Sequence, residues 1–417
     1  MQWTEPAGYA DEVAAWAESG AMWLTGRPDG PPRIAPGQVA TSLQHNLRSL
    51  SYTAGQRLGR PPELPTVGLL GERAAVAGLT RQGPWSCGGA FRVVPTRDGR
   101  FGLSLARPTD LELVPALVSI DDVDDPWDAV VRWARSTSSV EAEERCAELG
   151  LPGVAVPTSP VPARRPPVIR TPGGRRRQIT ECPLVVDFSA LWAGPLCAHL
   201  LGLGGADVIK VETIDRPDGA RSGAPAFFDL LHAGHRSVAI DPRDPWQLDR
   251  LHVLVDRADL VIEASRPRAL RQWGFDAAAV VRAGTSWVSL TARGRDSSRV
   301  GFGDDVAVGA GLWVGDGDEV LPCGDALADP LTGVAAAAEA SQVLVEERAQ
   351  LIDVSMHDIC QVAATPDIGA TEPSVGSSAD GWWVDTGGER LPVVPPRPRR
   401  PSGTAPTSGT HTFEVLR

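Results

Sequence analysis

Residues 183–212 hold two short, almost wholly apolar runs, "PLVVDF" and "ADVIKVE", separated by "GPLCAHLLGLGG". Runs this short and this apolar suit strands buried on both faces, and the stretch between them reads as a helix closed by glycines. Strand, helix and strand in that order make a βαβ unit, which requires the two strands to be parallel. The alternation continues through "SVAID", "RLHVLVDRA", "DLVIEA" and "SWVSLTA". The expected fold class is therefore α/β: a doubly wound, Rossmann-like parallel sheet with a second, smaller α+β domain. Ligands of such sheets bind beyond the carboxyl ends of the strands, so chemistry is expected in the loops 189–194, 212–222, 264–267 and 291–294.

The smaller domain lies upstream. "FRVVPTRDGRFGLSLARP" alternates apolar and polar residues on both sides of Arg97-Asp98-Gly99, the pattern of a β-hairpin. Helical spacing of apolar residues covers 36–50, 127–135 and 139–149. In "PTSPVPARRPPVIRTPGGRRRQ", residues 157–178, prolines and arginines exclude helix and central strand, so the segment reads as a linker. The division that follows is 1–156 as the small domain, 157–182 as the linker, and 183–417 as the larger domain with a C-terminal tail. The arginine run 175–177 reads as solvated linker charge.

A formal net charge of -12 argues against nucleic-acid and membrane-surface roles, because such surfaces repel an acidic protein. The six cysteines stand singly, without C-x-x-C spacing, so neither a disulfide framework nor a zinc site is expected, and a reduced, cytoplasmic setting fits. The start "MQWTEPAGYADEVAAW" lacks the features of a signal peptide, and no apolar run is long enough to span a bilayer.

A dinucleotide site would place G-x-G-x-x-G in the first turn, with Glu212 on a ribose hydroxyl. That turn reads "DFSALWAGP" instead, and Gly202, Gly204 and Gly205 fall at the far end of the helix. A different acidic motif stands out at 324–333, "GDALADPLTG", just before an alanine-rich run. Asp329 ahead of Pro330 is a common way to write a helix N-cap. On these residues alone the cap is the first reading; a carboxylate at a positive helix end can also serve nucleophilic chemistry, so both roles stay open. Asp325 reads as structural.

Taken together, "VVDFSALWAGPLCAHLLGLGGADVIKVE", "LHAGHRSVAID", "DLVIEASRPRAL", "WVSLTARGR", "GDDVAVGAGL", "GDALADPLTGVAAA" and "APTSGTHTFEVL" resemble, in order, the motifs of family III CoA transferases. The resemblance covers about 183–417. It implies an acyl-CoA:carboxylate CoA transferase in which Asp329, by its D-x-x-T-G spacing, attacks the thioester to give an aspartyl acyl anhydride. CoA would then pass on through an aspartyl-CoA thioester. Coenzyme A would be a substrate, with no permanently bound cofactor and no metal; the partners would be acyl-CoA, a small carboxylate and a second copy of the chain in a homodimer. The stretch "GRPDGPPRIAPGQVATSLQHNLRSL" resembles a second copy of the segment around the reactive aspartate, with Pro36, Gly37 and Gln38 near the place of the acid. The implied architecture is a permuted or half-duplicated member with a silent N-terminal copy.

For CoA itself, the resemblance and the loop positions select Trp192, Ala193, Gly194, Arg221, Arg266 and Arg268, since phosphates call for arginines and exposed amides. Each arginine could equally be a surface ion pair, and Trp192 a core residue. "SCGGA" at 86–90 is either a flap over the thioester or a plain turn. The family's racemase branch uses a histidine in a "GHD" setting; Gly303-Asp304-Asp305 lacks that base, and His199, His232, His235 and His357 stand at structural positions. Two other readings remain: a CoA- or acyl-binding protein that lost turnover, suggested by Ala264, His232 and Trp192 where the family often has other residues, and a CoA-dependent racemase or isomerase.

Overall fold

The computed structural model describes residues 9–159, 161–264, 268–365, 373–386 and 388–417. Its main sheet has seven strands: β1 (Val168–Arg175), β2 (Leu184–Asp187), β3 (Asp207–Thr213), β4 (Arg236–Ile240), β5 (Leu260–Glu263), β6 (Ser286–Thr291) and β7 (Arg348–Ser355). They lie in the order β1-β7-β6-β5-β2-β3-β4. All neighbours are parallel except β1, which runs antiparallel to β7. The winding reverses at β2, between β5 and β3, and this switch point opens a crevice at the carboxyl edge.

Successive strand residues face opposite cores, as a sheet buried on both sides requires. Val185, Val208, Leu260, Ile262, Val288 and Ile352 join one core, while Val186, Ile209, Val238, Val261 and Trp287 join the other. The first core also takes Val13, Trp16, Leu43, Leu47 and Leu50 from the N-terminal helices. Helix α1 (Val39–Leu58) thereby packs on α3 (Ala328–Val343), and α3 on α2 (Ala193–Leu203). Alanines at 335–338 of α3 allow this close stacking. By contrast, Phe101, Leu103, Val130 and Cys146 form a separate small core. It is built from the hairpin Phe91–Pro95 with Arg100–Ser104, the strand Gly153–Ala155 and helices Pro126–Ala134 and Ser139–Leu149.

Strand β1 falls within the Pro/Arg-rich segment read as a linker. Pro172 has no N–H to donate, which an edge position tolerates. At Gly173 and Gly174 an added Cβ would lie 2.3 and 2.1 Å from the carbonyl oxygens of Val281 and Arg282, so glycine permits the edge to close on the helix Ala277–Ala283. The opposite edge, β4, is covered by the C-terminal segment: Ser237 N–H donates to His411 Nδ1 at 3.0 Å and Ala239 N–H to Thr412 Oγ1 at 2.9 Å. Such covering removes an open template for pairing with another chain. Among the described residues no helix is long and apolar enough to cross a membrane. None of their His, Cys, Asp and Glu side chains form a group of three or more able to hold a metal ion.

Candidate active site

The turn after β2 is clamped from below. Asp187 accepts from Ser189 N–H at 2.9 Å, Asp218 accepts from Leu191 N–H at 3.0 Å, and Lys210 Nζ reaches Asp218 Oδ2 at 3.0 Å. Leu191 is held at φ 70°. This unusual conformation for a branched side chain turns the chain sharply into α2. An added Cβ on Gly194 would lie 2.2 Å from Ser189 Cβ, so this glycine serves the closure of the turn.

The other half of the site comes from α3. Its N-cap is Leu327, without a side-chain cap, and Asp329 is the second helical residue. The N-cap reading of Asp329 is therefore corrected: its Oδ1 accepts instead from the N–H of Ala193, the first residue of α2, at 3.3 Å. The physical reason lies one turn back, where Ala326 at φ 45° turns the chain and Asp304 Oδ1 accepts the Ala326 N–H at 2.9 Å. Two positive helix ends thus converge on the carboxylate of a half-buried residue. Against its Oδ2 lies Gly303, where an added Cβ would come within 2.3 Å.

Around Asp329 stand two further aspartates and a guanidinium. Arg73 Nε donates to Asp325 Oδ2 at 3.0 Å and its Nη2 to Oδ1, while its Cζ lies 5.2 Å from the Trp192 ring centroid. Loss of solvation pushes the Asp329 carboxyl up to about 7; Arg73 and the Ala193 N–H oppose this, and Asp304 and Asp325 add to it. Asp304 is pushed up to about 6, by burial first and Asp325 next. Burial works against the charge on Arg73, but Asp325, with Asp304 and Asp329 beyond it, outweighs that and holds the guanidinium above its ordinary value. From the "SCGGA" segment, Ser86 hydrogen-bonds Asp304 and Cys87 Sγ donates to Gly324 O at 3.2 Å, whereas Gly88 is exposed.

The remaining sequence-selected residues fall as follows. Trp192 is 5% exposed, edge-on to Phe227 at 5.4 Å, so its faces are occupied by protein. Arg221 reaches Glu212 at 2.8 and 2.6 Å and Pro406 O at 3.2 Å, and lies 4.3 Å from the Phe228 ring. Arg266 lies outside the described residues. Arg268 opens the short helix Arg268–Arg271, and its side chain is likewise outside the described residues. His235 lies 6.4 Å from His199, tilted, and 5.6 Å from His232, edge-on, between ring centroids. Burial lowers all three histidines. Cavities of about 330 and 400 Å³ lie elsewhere, the larger at the amino ends of β2 and β5 beside Leu184 and Asp259. Sequence reasoning passed over Arg73 and left Asp304 without a role, while Asp325, read as structural, is paired with Arg73. The "GDD" and "GDA" motifs held the acids, but nothing in "GERAAV" marks Arg73.

Fold and site together define a doubly wound α/β protein with a raised-pKa carboxylate at its switch point. Residues 183–380 match the model of CoA-transferase family III. Over 98 residues the chain is 35% identical to a succinyl-CoA--D-citramalate CoA-transferase of Chloroflexus aurantiacus, covering 22% of this chain and 24% of that one. It is 34% identical to a formyl-CoA:oxalate CoA-transferase of Afipia carboxidovorans, covering 22% and 23%. Among solved structures, the M. tuberculosis protein Rv3272 is 26% identical, with a TM-score of 0.42, over 51% of this chain and 63% of that one. The match thus spans about a quarter of the length of these curated relatives.

Proposed function

We propose that the protein is an acyl-CoA:carboxylate CoA transferase with Asp329 as its covalent nucleophile. The observation that carries this reading is the Asp329 carboxylate, on a half-buried residue and held by the Ala193 N–H between two helix starts. The family match of 183–380 supports it. In the first step an Asp329 oxygen attacks the thioester carbon, the C–S bond breaks, and CoA leaves as thiolate from the mixed anhydride. The thiolate then attacks the Asp329 carbonyl carbon, releasing the donor's carboxylate and leaving an aspartyl-CoA thioester. An acceptor carboxylate repeats the two exchanges in reverse, so the new acyl-CoA departs and the Asp329 carboxylate is restored. No electrons or net protons are exchanged. The Ala193 N–H and the two helix starts face the negative charge that develops on the aspartyl carbonyl.

The N-terminal copy fits this scheme as a silent one. Gly37 and Gly324 both have positive φ, at 79° and 61°, and each precedes a helix. Aligning them puts Ser42 where Asp329 stands, which moves the correspondence a few residues beyond Gln38. A homodimer, a cytoplasmic setting and small carboxylate acceptors belong to the same reading.

The reading is tested by incubating the protein with a panel of acyl-CoAs, quenching, and analysing the Asp329 peptide by mass spectrometry. An acyl or CoA adduct that vanishes in Asp329→Ala is expected; transfer surviving in that variant would sink the mechanism. The second reading, a CoA-binding protein without turnover, draws on Ala264, His232 and Trp192, of which Trp192 and His232 are buried. CoA binding with neither adduct nor product is its signature.

A further inference from the structure

Arg73 comes from outside the segment that matches the family model, yet it reaches the centre of the site. Its helix, Glu72–Ala77, is anchored by Glu72, which accepts from Arg399 Nη2 at 3.0 Å. Through Asp325, Arg73 holds the loop that starts α3. By lying over the Trp192 ring it also holds the turn that starts α2, and the very next residue, Ala193, donates to Asp329. One guanidinium therefore ties together both helix starts that flank the carboxylate.

We propose that Arg73 is a positioning residue for Asp329: it fixes the gap between the two helix starts and sets a positive charge among three carboxylates. The catalytic consequence rests on reading Asp329 as the nucleophile, whereas the electrostatic one does not. The groups that face Asp329 are Arg73 from its own short helix, Asp304 from the helix Gly303–Gly309, Asp325 from the loop before α3, and the Cys360 thiol from the helix Met356–Ala363. Of these only Arg73 is a cation, so its loss leaves the carboxylates facing one another, and Asp329 becomes harder to ionise. Loss of Asp325 does the reverse, removing a negative neighbour and freeing the guanidinium. The two deletions therefore act on Asp329 with opposite signs, which a scaffolding role alone would not produce.

The test titrates the Asp329 carboxyl directly, by carbon NMR of the full chain labelled at aspartate side-chain carboxyls, with the resonance assigned by its loss in Asp329→Asn. A midpoint higher by about one unit is expected in Arg73→Gln and a lower one in Asp325→Asn, with Arg73→Lys close to the wild type. In the transferase assay the acid limb of kcat/KM should move with the midpoint, rather than the rate falling equally at every pH. An unchanged midpoint in a folded Arg73→Gln protein overturns the proposal. Should that variant fail to fold, Asp325→Asn decides: an unchanged or raised midpoint there overturns it as well. If the wild type shows no transfer with any acyl-CoA, the proposed function fails while the titration remains readable.

Discussion

Arg73 and Asp325 stand 252 residues apart in the chain and meet in a two-pronged ion pair. Asp325 is 1% exposed and the Arg73 side chain 31%, so the carboxylate depends on its partner for nearly all of its compensation. Removing one member of a buried pair leaves an uncompensated charge, whereas removing both does not. Asp325→Ala is expected to cost roughly 3 kcal/mol in urea unfolding, and the double variant Arg73→Ala/Asp325→Ala less than the sum of the two singles. Strict additivity would show that the pair contributes nothing as a unit.

Gly303 is pressed against the Asp329 carboxyl. An alanine there would bring its Cβ to 2.3 Å from Asp329 Oδ2 and 2.4 Å from Ala326 O, and the second of these is backbone that cannot simply swing away. Gly303→Ala is expected to destabilise the fold by about 1–3 kcal/mol. It should also lower Asp329 adduct formation at least tenfold by displacing the carboxyl from the Ala193 N–H. Adduct yield by mass spectrometry at matched folded fraction checks this, and wild-type yield would refute it.

Burial pushes the carboxyls of Asp329 and Asp305 up to about 7 and that of Asp304 to about 6. The folded protein then holds protons that the unfolded chain has already released. These groups take nothing from stability below the ordinary carboxylate range, and subtract progressively more as pH rises through it to about 7. Asp329→Asn should match the wild type near pH 4 and exceed it near pH 8 by roughly 2–4 kcal/mol. Urea midpoints at the two pH values check the sign; a deficit at the higher pH would contradict it.

The N-terminal segment is locked onto the main core at Gly37. Its φ is 79°, an added Cβ would lie 2.0 Å from Ala363 O, and the next N–H, of Gln38, donates to that same oxygen at 2.7 Å. Gly37→Ala combines a strained backbone with a backbone clash, and a loss of about 2–4 kcal/mol is expected. A thermal midpoint within about 1 °C of the wild type, roughly the shift that 1 kcal/mol produces in a chain of this length, would exclude this.

Edge strand β4 depends on the C-terminal segment. Truncation after residue 404 removes His411 and Thr412, which hydrogen-bond Ser237 and Ala239, and leaves an open edge. Concentration-dependent association of the truncated protein in light scattering is expected, with restoration of the monodisperse state when the segment is present. An equally monodisperse truncated protein would show that the edge is protected in another way.

Much of the fold was legible because its signals are local. The βαβ pattern from 183, the hairpin around Arg97-Asp98-Gly99 and the helix Ser139–Leu149 each follow from apolar spacing and turn chemistry within a few residues. Strand β7 was passed over because Arg348, Gln350 and Asp353 interrupt its apolar pattern; it is nonetheless held between β1 and β6. Strand β1 was hidden by proline and glycine, which only an edge position admits.

The sequence by itself determined the α/β class, the loops at the carboxyl edge and the aspartate of "GDALADPLTG", since each is encoded in one contiguous stretch. Tertiary structure decided what that aspartate faces. Whether Asp329 caps its own helix or meets another depends on where Ala193, Asp304 and Gly303 are brought, and the guanidinium of Arg73 arrives from more than 250 residues away. Such contacts follow from how two helix starts pack across the first core, a long-range arrangement that no local spacing records.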